Sequence, residues 1–221
     1  INSSCNGIRL IGPATKLMIH DCLFYGPGER PHRTSSRSNM LAGINLQPGA
    51  WDATQGPLDD VLISDITMHN VSTPFHISLK PGNTAGKILV NRVSATGVYR
   101  AASSVESWAD TPIANAIFRD VTLEYTGGGT AEQAQRAVKA PGVDARPLPA
   151  WGFYARNVGR LELDNVRLRL ETEDLRPVLL AEKVQTLVLD GFRFPHVAGV
   201  ATPMVFTNVA RVERREGTDV P

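Results

Sequence analysis

The chain has 221 residues, a mass of 24.0 kDa and a formal net charge of +1, enough length for one sizeable core without disulfide staples. Hydrophobic residues at 42% and charged residues at 20% exclude a largely disordered chain, and 23 Lys+Arg against 22 Asp+Glu leave no cationic surplus for nucleic acid. Apolar runs such as 177–181 fall far below the roughly 20 residues of a membrane-spanning helix, so no membrane partner is expected.

Strand-type segments follow one another along the chain. Residues 7–11 alternate Ile8 and Leu10 with Arg9, and 18–24 read Met-Ile-His-Asp-Cys-Leu-Phe, the period of two of a half-buried strand. Residues 26–57 form an insertion rich in Pro, Ser, His and Arg around a short strand-like piece at 43–47. Further strand pieces come at 62–68, 75–80, 89–95, 103–107 and 117–123. A second insertion, 127–149, carries a Gly-Gly-Gly run, several prolines and the only helix-like stretch, 130–139. Strand pieces resume at 152–156, 162–168, 178–180 and 188–194, and 203–221 reads as a last partial unit with a charged tail.

These segments repeat. Aligning Met18-Ile-His-Asp-Cys-Leu-Phe24, Leu62-Ile-Ser-Asp-Ile-Thr-Met68, Leu89-Val-Asn-Arg-Val-Ser-Ala95, Ile117-Phe-Arg-Asp-Val-Thr-Leu123, Glu162-Leu-Asp-Asn-Val-Arg-Leu168 and Val188-Leu-Asp-Gly-Phe-Arg-Phe194 makes Asp21, Asp65, Arg92, Asp120, Asn165 and Gly191 equivalent. Their spacings are 44, 27, 28, 45 and 26 residues, a unit of about 27 lengthened twice by insertions. Two or three short strands per unit, 20 Val, 11 Ile and 16 Thr, and almost no helix signal predict an all-β fold. The period is that of a right-handed parallel β-helix of about seven to eight coils, and the short polar residue at each equivalent position fits a coil corner. A β-sandwich also has turns every 8 to 12 residues but does not explain the common period. One domain, 1–221, is expected, with insertions at about 26–57 and 127–149.

Alternation places Arg9, Asn45, Gln47, His76, Ser78 and Lys80 in one column on the outer face. Such a column offers the hydrogen bonds that sugar hydroxyls want, although a solvated outer face is equally polar. Trp51, Trp108 and Trp151 fall beside loops and strand starts, where they either stack on sugar or pack against the coils. Tyr154 and Arg156 share that outer face. Glu106 is the one carboxylate on a strand piece of this kind and the weak in-chain candidate for acid or base work. Asp59-Asp60 directly precedes a strand and reads as a turn. Cys5 and Cys22 read as two buried thiols, or as a disulfide if they lie on neighbouring layers. No His pair has metal spacing, so neither metal nor cofactor is expected.

The stretch Asp60-Val-Leu-Ile-Ser-Asp-Ile-Thr-Met-His-Asn-Val-Ser-Thr-Pro74, with Leu148-Pro-Ala-Trp-Gly-Phe-Tyr-Ala-Arg-Asn-Val158 and Leu161-Glu-Leu-Asp-Asn-Val166, resembles the C-terminal half of bacterial glycoside hydrolase family 28 proteins, the polygalacturonases and rhamnogalacturonases. The resemblance covers about residues 6–194. It implies a right-handed β-helix and inverting hydrolysis of pectin-type polysaccharide, which needs one carboxylic acid and one carboxylate. The family draws these from an Asn-Thr-Asp and an Asp-Asp motif on successive coils. Neither motif stands here, and coil order puts them upstream of this chain, so the segment alone is expected to be inactive. The family's Gly-His-Gly falls at Cys5-Asn6-Gly7, with Asn6 in place of a titratable His. Its Arg-Ile-Lys falls at Asn45-Leu46-Gln47, two neutral amides for two cations, with Arg9 nearby as an alternative charge.

The expected function is therefore a glycosidase segment contributing Asn6, Arg9, Asn45, Gln47, His76, Lys80, Trp108, Trp151, Tyr154 and Arg156 to a polysaccharide groove. The alternative is a non-catalytic carbohydrate-binding or structural β-helix. A monomer in a secreted or periplasmic setting, where the polymer is, completes the expectation.

Overall fold

The computed structural model describes residues 1–51 and 53–219; the last two residues of the expected tail lie outside them. Over these residues the protein is nearly all β. The strands are β1 (Asn6–Leu10), β2 (Ala14–Thr15), β3 (Met18–Tyr25), β4 (Ala42–Leu46), β5 (Pro57–Asp59), β6 (Val61–His69), β7 (Phe75–Leu79), β8 (Thr84–Val98), β9 (Ser103–Ser107), β10 (Ile113–Tyr125), β11 (Phe153–Leu170), β12 (Leu179–Asp190), β13 (Met204–Thr207) and β14 (Arg211–Arg214). All belong to one hydrogen-bonded network, and every pairing between them is parallel.

Parallel pairing stacks equivalent positions of successive repeats. One run of pairs joins Arg9 to Asn45, Asn45 to His76, His76 to Ser104, Ser104 to Tyr154, and Tyr154 to Leu180. The neighbouring positions point inward, where Ile44, Phe75, Phe153 and Leu179 are all buried. Across the interior, Phe118 of β10 meets Phe75 and Phe153 edge-on, with ring centroids 5.7 and 5.2 Å apart. The stack is apolar because buried parallel strands have no wet face to leave polar.

The six positions aligned by the repeat share one backbone conformation. Asp21, Asp65, Arg92, Asp120, Asn165 and Gly191 all have φ between 49° and 59°. Each left-handed residue adds one to the strand's alternation: Val61 and Ile63 point inward before Asp65, and Ile66 and Met68 after it. Asn, Asp and Gly tolerate this conformation best. Arg92 is the exception, and its guanidinium reaches back to Asp65 through two bonds of 2.6 Å. Holding Arg92 beside it also pulls the Asp65 carboxyl below its ordinary range.

The expectation of two or three strands per unit resolves to three: a third short strand occurs as β2, β5 and the starts of β8 and β10, pairing through Ala14, Leu58, Ala85 and Ile113. One feature differs from the sequence expectation. The helix expected over 130–139 is only α1 (Ala131–Ala134), which buries no residue, and a helix without a packed face does not extend on propensity alone.

Candidate functional site

The outer column lies beneath the chain's own second insertion. Asn45, Gln47, His76, Ser78, Ser104 and Glu106 are each no more than 1% exposed, which is far from a solvated outer face. The cover is the segment 141–146. Gln47 donates from Nε2 to the Gly142 carbonyl at 2.6 Å, and Asn45 from Nδ2 to the Val143 carbonyl at 3.4 Å. Lys80 donates to the Pro141 carbonyl and Arg9 to the Val143 carbonyl. Arg9 also pairs with Asp144 at 3.3 Å, and Arg37 reaches the same carboxylate at 3.5 Å.

The column is only half satisfied by this cover. Asn6 Oδ1, Asn45 Oδ1, Gln47 Oε1, His76 Nε2 and Ser78 Oγ are buried without a hydrogen-bond partner, an unusual concentration of orphaned polar atoms. The cover offers carbonyl acceptors, which take one N–H each from Arg9, Asn45, Gln47 and Lys80 and leave the Asn45 and Gln47 amide oxygens unserved, while the Arg9 Nε donor also stays without a partner.

Glu106 sits at the centre. Arg146 holds its two carboxylate oxygens at 2.8 Å each, and Trp108 donates its indole N–H at 2.7 Å. Burial raises the Glu106 carboxyl, but the Arg146 guanidinium, His76 and the Trp108 bond outweigh it and hold it below its ordinary range. His76 stands 3.9 Å from that carboxylate with Nδ1 on Ser104 Oγ at 2.9 Å. Burial pulls its imidazole down to about 4 despite Glu106, so it is neutral at pH 7. Desolvation pulls Lys80 down as well, against the attraction of Glu106.

A carboxylate gripped by a guanidinium is a poor proton donor and a screened base. In the covered state Glu106 is an anchor for the insertion. The next carboxylate along this face is Glu182 of β12, two register steps away with Arg156 between them, and it too is committed, to Arg156 and to the Tyr154 hydroxyl.

The other candidates divide. Arg156 lies 4.2 Å over the Trp108 ring and pairs with Glu182 at 2.7 Å, extending the column toward β12. Tyr154 is fully buried under Leu148, its hydroxyl donating to Glu182 at 3.0 Å, and burial followed by the Glu182 charge pushes its phenol up. Trp151 is 2% exposed and packs edge-on against Tyr125 in the interior, so it does not face the column. Trp51 is 63% exposed at the other margin, with Arg9 4.7 Å over its ring. Asp59 ends β5 and Asp60 follows with φ of 52°, a turn; the Asp59 carboxylate accepts from the Asp60 amide at 2.8 Å and, on the next repeat, from the Lys87 amide at 2.7 Å. Cys5 and Cys22 are free and only part-buried, neither the two buried thiols nor the disulfide that the sequence suggests.

What sequence reasoning missed is Arg146, Asp144 and the carbonyls of 141–143. No periodic signal marks them; the available hint was the small, polar, gap-free run Ser103-Ser-Val-Glu-Ser107, which suits a crowded covered face better than a wet one. A separate cavity of about 80 Å³ lies between Trp151, Arg176, Phe194 and His196. Its charged groups are spent on each other, with Arg176 donating to Asp174 at 2.6 and 2.9 Å. Among the described residues no group of three or more His, Cys, Asp or Glu is placed to hold a metal, and no helix is long and apolar enough to cross a membrane.

Comparison of this chain with family models, with curated proteins and with solved structures finds no match.

Proposed function

We propose that this chain is part of a right-handed parallel β-helix that binds pectin-type polysaccharide along the β1, β4, β7, β9 and β11 face, as the sugar-holding segment of an inverting glycosidase. The observation that carries the reading is the column of Asn45, Gln47, His76 and Ser78, fully buried yet holding unpartnered polar atoms. Buried polar atoms without partners cost about 1–3 kcal/mol each, so a protein that keeps several in one line gains by supplying them with a ligand. A sugar hydroxyl donates and accepts at once, which suits a surface where Asn and Gln side chains alternate donor and acceptor. Trp108 and Trp51, each beside a cation, give the column flat apolar margins of the kind pyranose rings pack on. The parallel repeat supports the β-helix, and a polymer substrate supports a secreted or periplasmic monomer.

On this reading the acid and base of hydrolysis come from outside these strands, because Glu106 is committed to Arg146 and Glu182 to Arg156 and Tyr154. The same pairing favours a second reading, a non-catalytic carbohydrate-binding β-helix. Titration of the chain with oligosaccharides of homogalacturonan, rhamnogalacturonan and a neutral glucan, followed by a reducing-sugar assay, tests both. Saturable binding to at least one, with no release of reducing ends by the chain alone, is expected. Absence of binding to all three overturns the saccharide reading; hydrolysis by the chain alone overturns the assignment of the carboxylates.

A further inference from the structure

We propose that segment 141–146 is a displaceable strap that holds the column closed, so that a polysaccharide gains access only by lifting it. The inference rests on the saccharide reading above and concerns how that site is regulated.

Three observations carry it. The first is how the strap is attached. Among the described residues no backbone hydrogen bond ties 137–150 to a strand; the strap is held by side chains reaching its carbonyls, by the Arg146–Glu106 pair and by the pairs of Asp144 with Arg9 and Arg37. Segments held this way open at far lower cost than the parallel ladders beneath them.

The second is where the attachment is firm. Just upstream, Gly127 and Gly129 approach Thr172 and Asp174 so closely that an added Cβ would lie 2.0 and 2.3 Å from them, and Gly129 N–H bonds Asp174. Just downstream, Ala150 and Trp151 are buried. Between these fixed ends the chain carries only the four-residue α1, and Gly142 at mid-strap has open space where a Cβ would stand. The ends are fixed by backbone packing and the middle by side-chain contacts alone, which is the construction of a strap.

The third is the chemical mismatch. The strap's carbonyls take one N–H from each of Arg9, Asn45, Gln47 and Lys80, as a ligand oxygen would, while Asn45 Oδ1, Gln47 Oε1, Ser78 Oγ and Arg9 Nε stay unpartnered. A polyhydroxylated chain serves both sets and therefore competes with the strap from the better position. Lifting the strap also withdraws Arg146 from Glu106, exposing a carboxylate acceptor beside Trp108. Binding and opening are then coupled, and the apparent affinity of the closed form is lowered by the small fraction that is open.

The test uses the full chain with two strap variants, Arg146→Ala and the double substitution Pro141→Gly/Asp144→Gly, each checked for a single cooperative unfolding transition above the assay temperature. The double substitution keeps the Arg146–Glu106 pair and serves if Arg146→Ala does not fold. A galacturonate hexamer and a neutral hexose hexamer are the titrants. The expected result is at least tenfold tighter binding by the strap variants than by the parent. Proteolytic cleavage within 142–146 should accelerate when the hexamer is added, while hydrogen exchange at amides of β4 and β7 slows. Equal affinities, or a strap that the hexamer protects from cleavage, overturn the strap. No binding by the parent or by either folded variant overturns the saccharide reading, and the strap's inhibitory role falls with it.

Discussion

Arg146 reaches the fully buried carboxylate of Glu106 across 40 residues of chain, with one guanidinium nitrogen on each oxygen at 2.8 Å. The two partners are unequally placed: Glu106 is 0% exposed and Arg146 20%. Truncating them should therefore be unequal too. Arg146→Ala leaves a buried anion with only the Trp108 indole and neighbouring His76, and should cost about 3 kcal/mol, the range for an orphaned buried charge. Glu106→Gln leaves an arginine that turns to water and should cost about 1 kcal/mol. The double variant should cost less than the sum, because the first substitution already removes the pair. Urea unfolding of the three proteins checks this, and a larger loss for Glu106→Gln than for Arg146→Ala would contradict the geometry.

Stability should fall with acid through His76. Its folded imidazole titrates at about 4 while the unfolded one titrates at 6.5. Between those values the unfolded chain takes up a proton that the folded one refuses, so stability is full above about pH 6.5 and declines as pH falls toward 4, by about 3 kcal/mol at most. Glu106, also depressed, loses its contribution in the same direction at lower pH. His76→Gln should flatten the profile between pH 6.5 and 4. A profile as steep in the variant as in the parent would assign the acid lability to other groups.

The parts of this molecule that the sequence made legible are those where local chemistry repeats. The αL corners emerged from aligning Asp21, Asp65, Arg92, Asp120, Asn165 and Gly191, because a backbone that needs positive φ selects short polar residues or glycine each time round. The column of Arg9, Asn45 and His76 emerged from period-two alternation and pairs in register. Its burial did not, since the cover comes from 141–146, a stretch without periodicity whose contacts with Gln47, Lys80 and Arg9 span 61 to 135 residues. Trp151 shows the same limit: lying just before β11, it is placed by the Pro177 carbonyl that its amide reaches at 3.0 Å, a contact no local pattern announces.

Phe118 tests the stacked interior. It is fully buried between Phe75 and Phe153, linking two faces of the array. Phe118→Ala should destabilise by about 3–5 kcal/mol, since stacked strands cannot collapse onto the gap without shifting every register above it. Phe118→Leu should cost about 1–2 kcal/mol by keeping most of the volume. Chemical denaturation measures both, and near-equal losses would mean that the edge-on ring contacts, and not the filled volume, hold the layer.

The corner conformation makes a sharper prediction at Asp120, where φ is 53°. A left-handed backbone costs an ordinary L-residue roughly 1–2 kcal/mol, more for a β-branched one whose Cβ substituents crowd the following carbonyl. Asp120→Val should therefore lose about 2 kcal/mol, although Asp120 is exposed and buries nothing. Asp120→Gly relieves the strain but gives up the bond from Asn165 Nδ2, 2.6 Å away, and costs unfolded-state entropy, so it should fall within about 0.5 kcal/mol of the parent. Asp120→Asn should be neutral to the same margin, since Asn both accepts this hydrogen bond and tolerates the backbone. Urea midpoints with unchanged m-values measure the series. If valine is tolerated as well as glycine, the corner does not need a left-handed residue, and the repeat's alignment on these six positions has another cause.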